Sequence, residues 1–279
     1  MSKNHNIIII TESDRVTIID NALKTLQIVC GNETHTYSPD NIDAVLIKTM
    51  DTGPSLEDMY AEIHTNDAIY IILSESSLFK EIIVDTIQSI VPINLELFIE
   101  ASMHHFNKTF VLYRKEDADI EIEDNDEKRI AIIEACIQLY HASKHLAETE
   151  VLAKFTFAML TFCPMFLLYG KEEHQNMLVN LSAISENLVP IYTSLERCPK
   201  GERFEKRKLP SDVYIKLLAR GGNDAMVNFN TNCQLMISSE QLRNVLLPLI
   251  LLREAPANQE SSLNTTRKKG FLERLFGKK

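Results

Sequence analysis

The chain has few of the residues, and none of the long apolar runs, that mark several protein classes. Eight Gly and nine Pro among 279 residues are too few for a collagen-like or low-complexity chain. The uncharged stretch 155–169 has fifteen residues and includes Pro164, so it is too short to cross a bilayer. Only four consecutive apolar residues, 7–10, occur near the N-terminus, so we expect no signal peptide. These absences predict a globular, cytoplasmic protein.

Catalytic and metal-binding signatures are also missing. The sequence contains no GxSxG, P-loop or HExxH motif. Its five cysteines are scattered, with no CxxC pair, which is typical of small core residues in a reducing compartment. We therefore expect a protein that is not an enzyme and that has no cofactor or structural metal.

Charge is distributed unevenly along the chain. The formal net charge is −10, from 29 Lys and Arg against 39 Asp and Glu. The last thirteen residues hold six basic residues and one Glu, a net +5, so the rest of the chain carries −15. An acidic body repels phosphate backbones, and we expect no nucleic-acid partner. The basic end indicates an anionic surface or an acidic protein partner instead.

Residues 1–115 are predicted to form an α/β domain. Helices are expected at Ser55–Ile63 and Ser76–Ile90, where apolar residues recur at helical spacing. Continuous apolar strands alternating with helices favour a sheet that is covered on both faces. The expected strands are Asn6–Ile10, Asp43–Lys48, Asp67–Leu73 and Lys108–Arg114.

An acidic linker is expected at 116–128. Eight of the twelve residues from 116 to 127 are Asp or Glu, in alternating positions that suggest a calcium loop. An EF-hand loop needs Gly at its sixth position, and none occurs in this segment. A solvated linker is the better interpretation.

Residues 129–254 are predicted to form a second α/β or α+β domain, followed by a flexible polar linker at 255–266. The pattern places helices at 129–160, Ser211–Ala219 and Ser239–Leu252. The expected strands are Met165–Gly170, Leu188–Ser194 and Ala225–Asn230.

The order of elements from about 148 to 247 resembles the SseB family, named for enhanced serine sensitivity. The matching pieces are FTFAMLTFCPMFLLYG, LVPIYTSLERC and AMVNFNTNCQLMISSEQLRNVL, of which VPIYTSLER is the most specific. The chain has Asn230-Thr231 where the family usually has Asn-Pro. The resemblance implies a small α/β module that binds other proteins, and it implies no catalytic residue.

The segment 267–279, RKKGFLERLFGKK, is a short basic amphipathic helix by its pattern. Its apolar residues fall within an arc of about 140° at 100° per residue, flanked by basic residues. It resembles the C-terminal membrane-targeting sequence of the Min-system septum-site ATPase family, whose phosphate-binding loop this chain lacks. The expected membrane- or partner-docking residues are Arg267, Lys268, Lys269, Phe271, Leu272, Arg274, Leu275, Phe276, Lys278 and Lys279.

The estimated free-energy contributions predict that this tail docks weakly and reversibly. Burying four large apolar side chains contributes about 6–12 kcal/mol. Each basic residue near anionic lipid adds roughly 1 kcal/mol, and ordering each residue costs about 1–2 kcal/mol. These contributions nearly cancel, so firm attachment requires a homodimer, a second anchor or a membrane-bound partner.

A basic segment that follows Cys198 is expected to be a surface loop that balances charge on an acidic protein, and it could also contact an acidic partner. Its basic side chains could also activate the Cys198 thiol by lowering its pKa, although charge balance on an acidic protein explains them more simply. The expected contact residues are Lys200, Arg203, Lys206, Arg207 and Lys208.

Two other candidate sites have weaker support. Glu134, Gln138, His141 and His145 share one helix face and could hold a metal, but the zincin Glu is absent and a polar solvent face is preferred. The turns 11–14 and 74–77 follow predicted strands, where α/β sheets bind anions, but they lack the glycines of nucleotide-binding loops.

Together the sequence predicts a non-enzymatic adaptor or assembly subunit of a membrane-associated bacterial complex, such as a secretion or envelope machine. Its expected partners are the other proteins of that complex and the inner face of a membrane. The alternative is an enzyme or sensor that binds a nucleotide or another small molecule in the first domain.

Overall fold

A computed structural model describes residues 6–51, 59–104, 106–120, 122–170, 178–181, 184–185, 187–200 and 203–254. The predicted linker 255–266 and the predicted tail 267–279 lie outside these residues. The chain forms two units. Among the described residues, the first comprises those up to 124 together with His145–Val151, and the second comprises Asn125–Lys144 and those from 152 to 254.

The first unit is built on a five-stranded sheet in the order β1-β7-β6-β5-β8. Strands β1 and β7 pair in parallel, and the other neighbours are antiparallel. A three-stranded antiparallel sheet, β2-β3-β4, joins it. The strands are β1 Asn6–Ile10, β2 Arg15–Asp20, β3 Thr25–Cys30, β4 Glu33–Tyr37, β5 Ile42–Thr49, β6 Met59–Thr65, β7 Ala68–Leu73 and β8 Lys108–Arg114.

The helices of the first unit cover one face of the larger sheet. Helix α1 runs through α-helical Leu78–Lys80, π-helical Glu81–Ile87 and α-helical Gln88–Ile90, and α2 is Leu95–Ser102. A short 3₁₀ turn, Pro39–Asn41, precedes β5. The core contains buried side chains from both sheets and from α1, among them Leu26, Ile47 and Ile83. The hydrophobic effect of this burial holds the strands and α1 together.

All residues of β6 and β7 are buried. For β7 this agrees with the continuous apolar run from which the sequence predicts a strand covered on both faces. The helix expected at Ser55–Ile63 is wrong for its described part, because Met59–Thr65 is strand β6.

The second unit contains a five-stranded sheet in the order β11-β9-β10-β12-β13. Strands β10 and β12 are parallel, and the other neighbours are antiparallel. The strands are β9 Met165–Gly170, β10 Leu188–Tyr192, β11 Phe204–Leu209, β12 Asp224–Val227 and β13 Leu235–Ile237.

Two helices of the second unit, the first and the last along the chain, begin at side-chain caps. The Asn125 side chain accepts a hydrogen bond from the Lys128 backbone nitrogen at 2.8 Å, and Ser238 and Gln241 form a capping box. The helices are α3 Asp126–Ala142, α4 Leu146–Leu160, whose residues up to Val151 belong to the first unit, α5 Ser211–Gly221 and α6, which runs through Ser239–Gln241, the π-helical Leu242–Leu246 and Leu247–Glu254.

These elements confirm the predicted α/β fold class. The two five-stranded sheets each contain parallel and antiparallel pairs rather than parallel pairs alone. Within the described part of the chain, no helix combines the length and the apolar character that crossing a membrane requires.

Candidate functional site

The basic segment expected to be a partner-binding loop is mostly strand. Lys200 is exposed and Arg203 immediately precedes β11, whereas Lys206, Arg207 and Lys208 belong to the strand. All six residues of β11 pair with β9, from Phe204 opposite Gly170 to Leu209 opposite Met165. The loop expectation is therefore wrong for Phe204–Leu209, because backbone pairing with β9 decides the conformation despite the charged composition.

Strand β11 is anchored at its start by Phe204. This ring packs against a small buried cluster. Side chains alternate along a strand, so Phe204, Lys206 and Lys208 share one face and Glu205, Arg207 and Leu209 share the other. The members of the cluster are Leu168, Tyr192 and Cys198, with the partly buried Phe166, Val179 and Phe229.

Two basic side chains of β11 have partners within the second unit. Arg207 donates from Nε and Nη2 to the two carboxylate oxygens of Glu205, at 2.8 and 2.7 Å. Its guanidinium lies 4.3 Å from the ring centroid of Tyr169 on the neighbouring strand. Lys208 Nζ donates to Asp126 Oδ2 at 3.1 Å. These contacts hold Arg207 and Lys208 in place.

The other three basic side chains keep their charge available. With the residues that the structure describes, Lys200, Arg203 and Lys206 form no ion pair. Lys200 and Arg203 are exposed, and Lys206 is half-buried. We call Lys200, Arg203, Lys206, Arg207 and Lys208 the basic edge, and it is a positive surface on a chain of net charge −10.

The basic edge does not activate the neighbouring thiol. Burial raises the pKa of Cys198, and the opposing effect of the Lys206 charge is smaller. The side chain is 4% exposed, and its Sγ lies 3.5 Å from the Ser194 carbonyl oxygen. This environment favours a core residue over a nucleophile.

A polar network lies where the parallel strands β10 and β12 end. Thr193 follows β10 and Asn228 follows β12, and both are completely buried. The Asn228 Oδ1 accepts a hydrogen bond from the Thr193 backbone nitrogen at 3.0 Å, and the Thr193 hydroxyl oxygen also lies 3.0 Å from it. Asn228 has φ of 49°, a left-handed conformation that Asn tolerates better than most residues. This pair ties the two strand ends together.

Glu134 of α3 completes the network. Its Oε1 accepts the Thr193 hydroxyl at 2.6 Å, and its Oε2 accepts Arg197 Nη2 at 2.7 Å. The hydrogen bond that Arg197 donates to Glu134 is the main reason why the pKa of Arg197 is raised. Carboxyl ends of strands are the usual ligand sites of α/β sheets, and here a carboxylate of the protein occupies that position.

The sequence alone does not predict this network, although several of its residues belong to motifs that the sequence analysis identifies. Thr193 and Arg197 lie in the VPIYTSLER segment that carries the SseB resemblance, and Glu134 was considered as a metal ligand. The available signal was the position of Thr193 and Asn228 at the ends of two apolar strands.

The candidate metal face of α3 serves other roles, and the expectation that His145 shares this helix is wrong because α3 ends at Ala142. His141 Nε2 lies 2.6 Å from the Gln234 carbonyl oxygen, and Glu134 is engaged by Thr193 and Arg197. No cluster of three metal-ligating side chains occurs within the described ranges. The structure does not bring these residues together as a ligand set.

The two turns considered for anion binding do meet at the carboxyl ends of β1 and β7. Glu12 accepts hydrogen bonds from the Ser77 backbone nitrogen at 2.7 Å and from the hydroxyls of Ser76 and Ser77. Asp14 accepts from the Thr11 backbone nitrogen at 2.8 Å. The carboxylate of Glu12 thus occupies the position at the start of α1 where an anion would bind.

A charged cluster is buried on the other face of the first unit's larger sheet. Lys48 of β5 forms an ion pair with Asp124, and its Nζ lies 3.5 Å from Glu62 Oε1. Glu62 Oε2 lies 2.7 Å from His64 Nε2, and the Tyr60 hydroxyl donates to Asp124 at 2.7 Å. Lys48, Glu62 and His64 are at most 3% exposed. Opposite charges at these distances offset the cost of burying each one.

The ten predicted docking residues of the tail, from Arg267 to Lys279, lie outside the described residues. Comparisons with models of protein families, with curated proteins and with solved structures found no match. The SseB resemblance of the second unit and the Min-system resemblance of the tail therefore stay predictions.

Proposed function

We propose that this chain is a non-enzymatic adaptor or assembly subunit of a bacterial complex at the inner face of the cytoplasmic membrane. Its second unit binds an acidic protein partner through the basic edge, and its tail docks on anionic lipid. A secretion or envelope machine is the kind of complex that suits this arrangement.

The basic edge is the observation that carries the proposal. Five basic residues lie within nine positions of an acidic chain, and a partner surface of opposite charge would attract them. Two of the five are held by Glu205 and Asp126, which keeps the strand ordered. The charges of Lys200, Arg203 and Lys206 remain available to a partner, and they favour fast, selective association.

The carboxyl ends of both parallel strand pairs support an adaptor over a small-molecule sensor. Glu12 occupies one of these ends and Glu134 the other, and each accepts several hydrogen bonds from its surroundings. A nucleotide at either end would have to displace a carboxylate from its donors. The alternative function is tested by a thermal-shift screen with nucleotides, in which a raised midpoint would favour it.

Purification from the native cells in mild detergent tests the partner proposal. We expect a stoichiometric assembly with other proteins, which dissociates when Arg203 and Lys206 are both replaced by Glu. The double variant Lys144→Glu/Arg220→Glu makes the same charge change at exposed positions of the second unit and should leave the assembly intact. A lone monomer or homodimer of the unmodified chain would contradict the proposal.

Liposome cosedimentation tests the tail separately. We expect the full chain to pellet with vesicles that contain anionic lipid, and the Phe271→Glu/Phe276→Glu variant to stay in the supernatant, because two of the four apolar side chains are lost. Equal pelleting of the two proteins would refute the membrane part and leave the partner part standing.

A further inference from the structure

Among the residues that the structure describes, β11 is an edge strand with no strand paired to its outer side. It hydrogen-bonds to β9 on its inner side. Alternate residues of such a strand direct both backbone N–H and C=O away from the sheet. An edge of this kind is a template for one more strand.

Lysine on an edge strand commonly protects it from unwanted pairing. An antiparallel pair of two β11 strands, centred on the strand, would place Lys206 opposite Arg207 twice, although it would also place Glu205 opposite Lys208 twice. Like charges directly opposite each other destabilise a strand pair. Protection from self-pairing does not explain why Arg203 and Lys200 extend the positive charge beyond the strand. A strand with negative side chains would meet no such repulsion.

We propose that an extended acidic segment of a partner protein adds to β11 as a sixth, antiparallel strand. This inference rests on the proposed function and specifies how the basic edge recognises its partner. Backbone hydrogen bonds supply part of the affinity, and the basic side chains select an acidic sequence. The conformation of Arg207 on this strand is fixed before a partner binds, because its guanidinium donates two hydrogen bonds to Glu205 and stacks on the ring of Tyr169.

The alternation of β11 specifies the sequence pattern of the added strand. Lys208, Lys206 and Phe204 lie on one face, so an antiparallel strand meets them at its first, third and fifth positions. Acidic residues suit the first and third positions, and an apolar residue suits the fifth. The sixth position, opposite Arg203, is also acidic, and the fourth, opposite Glu205, is uncharged.

A fluorescent peptide tests this pattern. Its central residues are Glu, Thr, Glu, Thr, Val and Glu in that order, and its binding to the full-length chain is measured by fluorescence anisotropy. We expect saturable binding that weakens about tenfold in the Arg203→Glu/Lys206→Glu variant and is unchanged in Lys144→Glu/Arg220→Glu. Absence of binding, or equal binding to both variants, overturns the proposal.

Two backbone-modified peptides separate strand addition from attraction between charges. One carries N-methyl groups at the first, third and fifth central positions, and the other at the second, fourth and sixth. In strand addition only one of these sets donates hydrogen bonds to β11, so one peptide should lose at least about tenfold in affinity and the other should retain it. Equal binding of the two N-methylated peptides overturns strand addition.

That last result would leave the proposed function intact, because an acidic partner could still bind by charge alone. The proposed function fails by a different observation, the absence of partner proteins in the native purification. A larger complex of the chain with itself, seen by size-exclusion chromatography without peptide, would instead assign the edge to a second copy and overturn the proposal.

Discussion

The carboxylate of Glu12 lies 2.7 Å from the backbone nitrogen of Ser77, so a residue that follows β1 caps the helix that follows β7. Burial alone would raise the pKa of Glu12, but the hydrogen bonds from Ser77 and Ser76 outweigh it and lower the pKa below 4.5. The ionised carboxylate also interacts favourably with the positive end of the helix.

This contact predicts an acid-sensitive contribution to stability. Because the pKa is lower in the folded chain, the stabilisation is complete well above 4.5 and is lost as the pH falls through the folded-state value. Glu12→Gln should cost about 0.3–1 kcal/mol at pH 7. The difference from the unmodified chain should shrink as the pH falls below 4.5.

Thermal unfolding at a series of pH values measures this difference. Asp85→Asn is the matched control, because Asp85 is an exposed carboxylate on the same helix with no hydrogen bond to the described residues. A Glu12→Gln deficit that stays constant down to strongly acidic pH would contradict the assignment.

The buried Lys48 amine predicts a large effect of removing one charge. Lys48→Met leaves Glu62 buried without its cation, and such an unpaired charge costs about 3–5 kcal/mol. The double variant Lys48→Met/Glu62→Gln should recover part of this loss, since a neutral amide can still accept a hydrogen bond from His64. Urea unfolding monitored by circular dichroism measures both values.

A half-exposed ion pair provides the comparison for Lys48. Lys108 Nζ lies 2.9 Å from Glu100 Oε1, with about half of each side chain exposed, so Lys108→Met should cost no more than about 1 kcal/mol. Equal effects of Lys48→Met and Lys108→Met would show that the buried cluster is not held by charge.

The same cluster explains why β6 was predicted as a helix. Glu62 and His64 look solvent-exposed in the sequence, so the apolar residues around them fit a helical spacing. In the structure both side chains are buried, because Lys48 lies 3.5 Å and His64 lies 2.7 Å from Glu62, and these contacts offset part of the cost of burial. Sequence periodicity assumes that charges face water, and it fails where distant residues neutralise them.

The composition of each strand decides whether the sequence predicts it. Asn6–Ile10 and Lys108–Arg114 were predicted at their observed bounds because each is a compact run of apolar and β-branched residues. Strands β2 and β11 were missed because half of the residues of β2 and most of those of β11 are polar, and each strand gains stability from its neighbour. The network of Thr193, Asn228 and Glu134 could not be predicted, since only tertiary structure brings 134, 193 and 228 together.

The hydrogen bonding of the Thr193 hydroxyl predicts that a residue with a hydroxyl group is needed at position 193 for full stability. This hydroxyl donates to Glu134 and also lies 3.0 Å from Asn228 Oδ1, all within a buried site. Thr193→Val keeps the shape but leaves these acceptors without the hydroxyl, at a cost of about 1–3 kcal/mol. Thr193→Ser keeps the hydroxyl and should cost clearly less. If urea unfolding gave Ser and Val the same stability, the hydroxyl would have no role in the network.

The cysteines predict slow alkylation of the folded chain. Burial, followed by the charges of Asp14 and Glu33, raises the pKa of Cys30 to about 12. Burial also raises the pKa of Cys136 to about 12 and, together with Glu134, that of Cys233 to about 11. At pH 8 a thiol with a pKa of about 11 is only about 0.1% thiolate, and the thiolate is the reactive form.

Iodoacetamide labelling followed by mass spectrometry checks this expectation. We expect all five thiols to react quickly in guanidinium chloride, and these three to react in native buffer only as fast as the chain unfolds. Cys198 is the informative site, because burial raises its pKa while Lys206 opposes that change. Rapid native labelling that disappears in Cys198→Ser would mean that the charge of the basic edge outweighs burial, and that Cys198 is a reactive thiol beside the partner-binding strand.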